Sequence, residues 1–398
     1  MNKYFRFPVL CAVSAAVFGV SVISSCKDDD PSTDESSRDV QKTKTIEQYV
    51  NAVIVATYKS LADESVDLYE ACVGLKENPA QENINAVCQE WISARKYWEQ
   101  SEAFLYGAAA DYNIDPHIDS WPLDKAQLDL QLKNTTLINN MKDNGCNFDG
   151  FATLGYGLLG FHAVEYMVFR DGGPRKYAGG VDKNGISYGA LSETELIYCA
   201  AVAEDLRNQC IRLEASWAGI ENVSSDKQSI LEDAELAPSL NYGEIMIAAG
   251  ESGNKIYKTQ IAAYAEILQG AADIADEVGN TKITDPVNSG NVLDVESWYS
   301  WNSIVDFADN IRSIQHAYYG NVGNTVLDAS LSAYVKSLDA SLDDAVKAAI
   351  ADAIREIEAM PAPFRDNLTE AASGKAKDAC NALLDKLDET IELIQEKR

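Results

Sequence analysis

Two side chains that could do chemistry stand three residues apart in an apolar run. They are His162 and Glu165, within Phe151–Phe169, FATLGYGLLGFHAVEYMVF. Apart from Thr153, no other side chain of that run is strongly polar. The composition predicts a helix buried on most sides. Positions i and i+3 of a helix face the same way, so imidazole and carboxylate converge on one point. A buried charge must be partnered, neutralised or bound to a metal. The pair therefore reads as a candidate metal site with His162 and Glu165 as ligands, set against a satisfied core pair. A membrane span is rejected, because the run is at the short end of the spanning range and carries an ionisable pair near its centre.

Further polar residues recur in three blocks. Trp91, Arg95, Trp98 and Glu102 are spaced four, three and four apart, one stripe of a helix. Ile118-Asp119-Ser120-Trp121-Pro122 follows, and Glu296-Ser297-Trp298-Tyr299-Ser300-Trp301-Asn302-Ser303 leads on to Asp306, Asp309 and Asn310. Each has a plainer reading: core aromatics with Arg95 and Glu102 paired along the helix, a turn or N-cap at Asp119, a solvated face for Asp306 and Asn310. His117 and His316 read as lone structural histidines.

A hydrolytic zinc site needs three protein ligands, an open position for water and a general base. HExxH is absent; HxxE supplies two ligands and no base, and a third would have to come from Asp119, Glu99, Glu102 or Asp306. With three histidines and no nucleophile motif, no Ser/His/Asp or Cys/His arrangement can be argued. One imidazole among carboxylate, amide and hydroxyl oxygens suits a hard or borderline ion such as iron, or a small polar ligand.

The elements that must position these groups are helical. Apolar residues keep one face from Ile46 through Leu75, and a second helix is expected from about Asn83 to Tyr106. Ser192 and Glu195 have capping-box spacing ahead of a helix to about Trp217. Helical stretches follow near Tyr242–Glu277, Trp298–Tyr319, Val326–Glu358 and Asn367–Glu396, with Thr281–Val295 read as loop. The Gly-rich stretch after Phe169 reads as a long loop. Few segments alternate with period two, so the fold class is all-α, two helical-bundle domains in series.

Composition bounds the partners. The chain has 398 residues and a net charge of −29, which argues against nucleic acid and against direct adhesion to anionic lipid. Lys3, Arg6 and the apolar run Phe7–Val22 form a signal peptide, and Ile23-Ser24-Ser25-Cys26 reads as a lipobox with Cys26 as the lipidated residue. Lys27-Asp28-Asp29-Asp30 is similar to the acidic export signal of surface lipoproteins, against a plain solvated tether. The expected place is the cell envelope, as an outer-membrane lipoprotein exposed at the surface, held by its acylated Cys26 in outer-membrane lipid. Cys72 and Cys88 flank a turn near residue 80 at equal distance, so an antiparallel helix pair would bring them together for a disulfide.

Gly160-Phe161-His162-Ala163-Val164-Glu165 matches GxHxxE, and with the three blocks above the chain resembles the imelysin family of bacterial envelope proteins. The resemblance implies a pair of similar helical bundles. With the lipobox at Cys26 and the polar stretch Gly219–Lys227 as boundaries, the chain is expected to divide into 1–25 as lipoprotein signal peptide, 26–44 as lipid anchor and flexible tether, 45–222 as the N-terminal bundle with GxHxxE, and 223–398 as the C-terminal bundle. The resemblance adds Gly160, Arg95, Glu102, Asp119, Trp121, Ser300, Asp306 and Asn310 to His162 and Glu165 as a ligand pocket. Its functional implication is capture of iron, another divalent metal, haem or an iron-bearing ligand beside an outer-membrane uptake partner. A metallopeptidase, as the family is classed, and a non-catalytic surface scaffold are the alternatives.

Overall fold

The structure is a computed structural model that describes residues 39–396; the expected signal peptide, the expected lipidation site Cys26 and the expected tether as far as residue 38 lie outside the described residues. The first helix starts at Val40, ahead of the apolar face that opens at Ile46. Asp39 accepts from the amides of Gln41 and Lys42, so the orphan N–H groups of the first turn are satisfied there. From that cap run α1 (Val40–Tyr49), a π-helical segment Val50–Val55 and α2 (Ala56–Glu77). Then come α3 (Gln81–Glu99), α4 (Gly160–Val168) and α5 (Glu193–Ala218), the last opened by the Ser192/Glu195 capping box. The second half supplies α6 (Gln260–Asp276), α7 (Ser303–Tyr319), α8 (Ala340–Glu358) and α9 (Glu370–Glu396).

The fold is all-α, two groups of helices around a continuous apolar core. Helices α2, α3 and α5 pack together with α4 laid against α3 and α5, while α6, α7, α8 and α9 form the second group. They meet where α3 crosses α7 and where the turn Glu102–Phe104 seats between α6 and α7. Gly270 makes that seat: a Cβ there would lie 2.3 Å from the Ala103 carbonyl oxygen.

Several expectations change. Phe151–Phe169 is helical only from Gly160; the part before it is turn, with a 3₁₀ segment at Tyr156–Leu158, because its glycines weaken the helix. The loop expected at Thr281–Val295 begins inside a π-helical segment, Glu277–Ile283, and continues as a short helix, Thr284–Ser289. The Gly-rich stretch folds into two small antiparallel ladders, Phe169–Arg170 with Gly173–Pro174 and Gly180–Val181 with Ser187–Tyr188. Cys72 does not face Cys88: its Sγ lies 3.8 Å from that of Cys199 on α5, and Cys88 Sγ donates to the Val168 carbonyl at 3.4 Å. Helix α2 buries its Cys72 face against α5 as well as against α3, which a two-helix argument leaves out. Among the described residues no helix is long and apolar enough to cross a membrane.

Candidate functional site

Helix α3 puts Trp91, Arg95 and Trp98 on one fully buried stripe, with Trp91 wedged edge-on against Phe161 at the start of α4. Arg95 is the hub. Its Nη1 pairs with Asp119 Oδ1, and its Nη2 lies 2.5 Å from Glu99 Oε1 and 2.7 Å from Glu296 Oε1. Nε is 4.0 Å from Asp306 Oδ2. Asp119 follows the short helix Ile114–Ile118, and its other oxygen accepts from Trp98 Nε1 at 2.6 Å.

His162 enters from the opposite side. Its Nδ1 is 3.1 Å from Glu165 Oε2, one turn along α4. Its Nε2 is 3.1 Å from Asp119 Oδ1 and 3.8 Å from Glu296 Oε1, yet makes no aligned hydrogen bond. The Trp121 ring closes one side, with centroids 4.7 Å apart. Gly160 permits the approach: its φ is +68°, and a Cβ there would fall 2.0 Å from the Ile118 carbonyl oxygen, against the turn that carries Asp119.

Glu165 does not converge with His162 on an open point, as the i, i+3 spacing alone predicts. Its Oε1 accepts from the amides of Tyr299 (3.0 Å) and Ser300 (2.8 Å) and from Ser300 Oγ (2.7 Å), so both carboxylate oxygens are engaged. The segment after Glu296 is shaped to do this. Ser297 adopts a left-handed backbone, φ 52°, and donates to Asp306 Oδ2 at 2.5 Å. Asn302 holds the other Asp306 oxygen at 2.6 Å, and Asn310 donates to Glu99 Oε2 at 2.5 Å.

Thus Arg95, Asp119, Trp121, Gly160, His162, Glu165, Ser300, Asp306 and Asn310 come together where the two helix groups meet. Glu102 stands one step out. Helix α3 ends at Glu99, so Glu102 opens a 3₁₀ turn instead of continuing the Arg95 stripe, and its nearest cation is Lys282 at 3.8 Å. Sequence reasoning missed Glu296 and Lys282, which lie 3.2 Å apart. An acidic residue opening a Trp-rich block was a usable signal for Glu296; Lys282 gave none.

Electrostatics divide the carboxylates. Burial disfavours charge on Glu296, but Lys282, His162 and Arg95 hold it well below the usual carboxylate range; Asp119 is lowered against the same burial by Arg95 and His162. Burial wins at Glu99, which is raised well above its ordinary value despite Arg95, and at Asp306, pushed up to about 7. For His162, burial opposes the charge, yet the carboxylates of Asp119, Glu165 and Glu296 gathered around the ring raise its pKa well above the ordinary value. The ionised pair, Asp119 and Glu296, is the pair beside His162 Nε2, and one ligand atom from each of these three residues can be chosen with all three within 4.8 Å of one another. One imidazole and two carboxylates fit a borderline divalent ion. Glu165 supplies what a metal-bound histidine ordinarily has, a carboxylate on its other nitrogen.

The family model Imelysin (Peptidase_M75) matches residues 54–393. The chain is 25% identical to "Iron-regulated protein A" of Synechococcus elongatus over 394 residues, 98% of this chain and 95% of that protein. Its fold is similar to a solved structure from Parabacteroides distasonis that carries the name iron-regulated protein A precursor, with a TM-score of 0.73, 29% identity, and coverage of 90% of this chain and 97% of the other. An imelysin-like protein from Psychrobacter arcticum shares the fold at 14% identity and a TM-score of 0.54, over 89% of this chain and 93% of its own. With the family model covering most of the sequence and the GxHxxE residues at the centre of the buried cluster, the chain belongs to the imelysin family.

Proposed function

We propose that this protein is a cell-envelope lipoprotein that captures a divalent metal, iron foremost, for an uptake system. The ion would be held by His162 Nε2, Asp119 and Glu296, with Glu165 orienting the imidazole and Trp121 and Asn310 lining the site. The observation that carries the reading is the pairing of a locked imidazole with an unsatisfied buried Nε2 facing two ionised carboxylates. Each carboxylate oxygen has lone pairs to share between Arg95 and an ion. Imidazole must give up its proton on binding, so affinity falls with pH. The iron-regulated names of the relatives support iron as the cargo. Anchoring through acylated Cys26 in outer-membrane lipid, surface exposure and an outer-membrane uptake partner belong to the same proposal.

Hydrolysis asks for more than this geometry offers. A metallopeptidase needs a metal-bound water open to a peptide and a free general base. Arg95, Glu99, His162 and Glu165 are fully buried, and Glu165 is committed to two amides and a hydroxyl. Capture and release need neither.

The test is metal analysis of protein purified without chelator, followed by calorimetry with Fe²⁺ under anaerobic conditions and with Zn²⁺, on wild type and His162→Ala. Binding by wild type that is lost in the variant is expected. Absence of binding by wild type, with a large loss of stability in the variant, would leave the scaffold reading in its place.

A further inference from the structure

A closed site needs a route for its ion. Beside the cluster, between α6 and the segment Glu102–Asp115, lies a cavity of about 340 Å³ lined by Glu102, Asp115, Glu266, Asp273 and Glu277 and by no lysine or arginine. Glu102, at its inner end, is 8% exposed and makes no hydrogen bond among the described residues. Unpaired buried carboxylates are costly, and burial raises the pKa of Glu102 well above its ordinary value. The group that answers them is Lys282. Its Nζ is 3.8 Å from Glu102 and from Glu277 and 3.2 Å from Glu296 Oε2, with no aligned hydrogen bond to any of them. Glu296 in turn reaches His162 Nε2 through its other oxygen. A continuous line of ionisable groups therefore runs from the cavity to the imidazole. The π-helical segment Glu277–Ile283 carries both Glu277 and Lys282 to this junction, and such segments frequently mark functional positions.

We propose that this acid-lined cavity is the route by which a divalent cation reaches His162, with Lys282 at its inner end as the cation displaced on arrival. The inference rests on the metal-capture reading above. A cleft of one sign walled by protein concentrates counter-ions and speeds their association. At the throat the fold itself holds a positive charge by ion pairs alone, on a flexible stem that can swing aside.

Stopped-flow mixing with Co²⁺, whose visible absorption reports coordination, tests the route in the full chain. Glu266→Gln/Asp273→Asn removes two cavity charges that touch neither His162 nor its partners. Glu64→Gln/Asp67→Asn removes two charges from a separate acidic group that includes Glu90. Cavity variants should associate more slowly at low salt, on the order of ten-fold, with a flatter salt dependence and an unchanged final spectrum. The remote variant should match wild type. Equal slowing in both variants, or none in the cavity variant, overturns the route while leaving the site intact. No cobalt spectrum in wild type overturns the site itself and the route with it.

Discussion

Arg95 and His162 share the same two oxygens: Asp119 Oδ1 and Glu296 Oε1 each face a guanidinium nitrogen on one side and imidazole Nε2 on the other. Arg95 at Asp119, and Lys282 with His162 and Arg95 at Glu296, hold the two carboxylates ionised against their burial, and the imidazole stands beside them. The arrangement explains how a dense charge cluster can be buried and still present ligands.

Removing Asp119 should therefore damage more than metal binding. Asp119→Ala leaves Arg95 Nη1 and Trp98 Nε1 without their acceptor in the buried interior, while Glu99 and Glu296 still face Nη2. Loss of one partner from a buried ion pair costs about 3–5 kcal/mol. Urea melts should show it; a loss below about 1 kcal/mol would mean that water reaches the pair.

Glu165→Gln tests the orienting role. An amide nitrogen cannot accept hydrogen bonds, so one of the two sets of donors at Glu165, the backbone amides of Tyr299 and Ser300 or His162 Nδ1, would be left unsatisfied. We expect destabilisation of about 1–3 kcal/mol and metal affinity weakened about 10–100-fold, short of the abolition expected for His162→Ala. Calorimetry on the two variants side by side gives the ranking.

Gly160→Ala should separate the two walls of the site. The left-handed φ costs a side chain roughly 1–3 kcal/mol, and the added Cβ meets the Ile118 carbonyl, forcing the Asp119 turn away. Lower melting temperature and loss of metal binding are expected together; a variant that binds normally would show that the turn adapts.

His316 gives a pH dependence outside the His162 cluster. Burial, then Arg312 and Lys96, lower its pKa from 6.5 to about 4, and its buried Nδ1 has no hydrogen-bond partner. The unfolded chain thus binds a proton between those values that the folded chain refuses. Stability is full above the unfolded value and falls as pH drops toward the folded one, by on the order of 3 kcal/mol. Denaturant melts near neutral pH and about pH 4.5 should show wild type losing more than His316→Gln by that amount. Equal losses would place the imidazole in contact with water.

The cysteines are also checkable. Cys72, Cys88, Cys146, Cys199, Cys210 and Cys380 are free thiols in the structure. A form beginning at Lys27, denatured without reductant, should therefore titrate all six. Two fewer, with peptide mapping joining Cys72 to Cys199, would show that the close α2–α5 contact is oxidised.

Local and periodic features are legible in the chain before it folds. The helical class follows from apolar periodicity, the α5 start from Ser192 and Glu195, and the convergence of polar groups on His162 from the cost of burying that imidazole. Side-chain direction was beyond it. Spacing of i and i+3 brings Glu165 to His162, but only the folded Tyr299–Ser300 backbone decides that Glu165 is an orienting carboxylate and that Nε2 points to Asp119 and Glu296. Glu102 fits the Arg95 stripe on paper, yet the turn seated against Gly270 of α6 ends the helix and sends it to Lys282. Cys72 has Cys88 opposite in sequence and Cys199 opposite in space. Each of these outcomes depends on contacts between segments far apart in the chain, whose approach is set by packing of the whole core, and no local pattern encodes that distance.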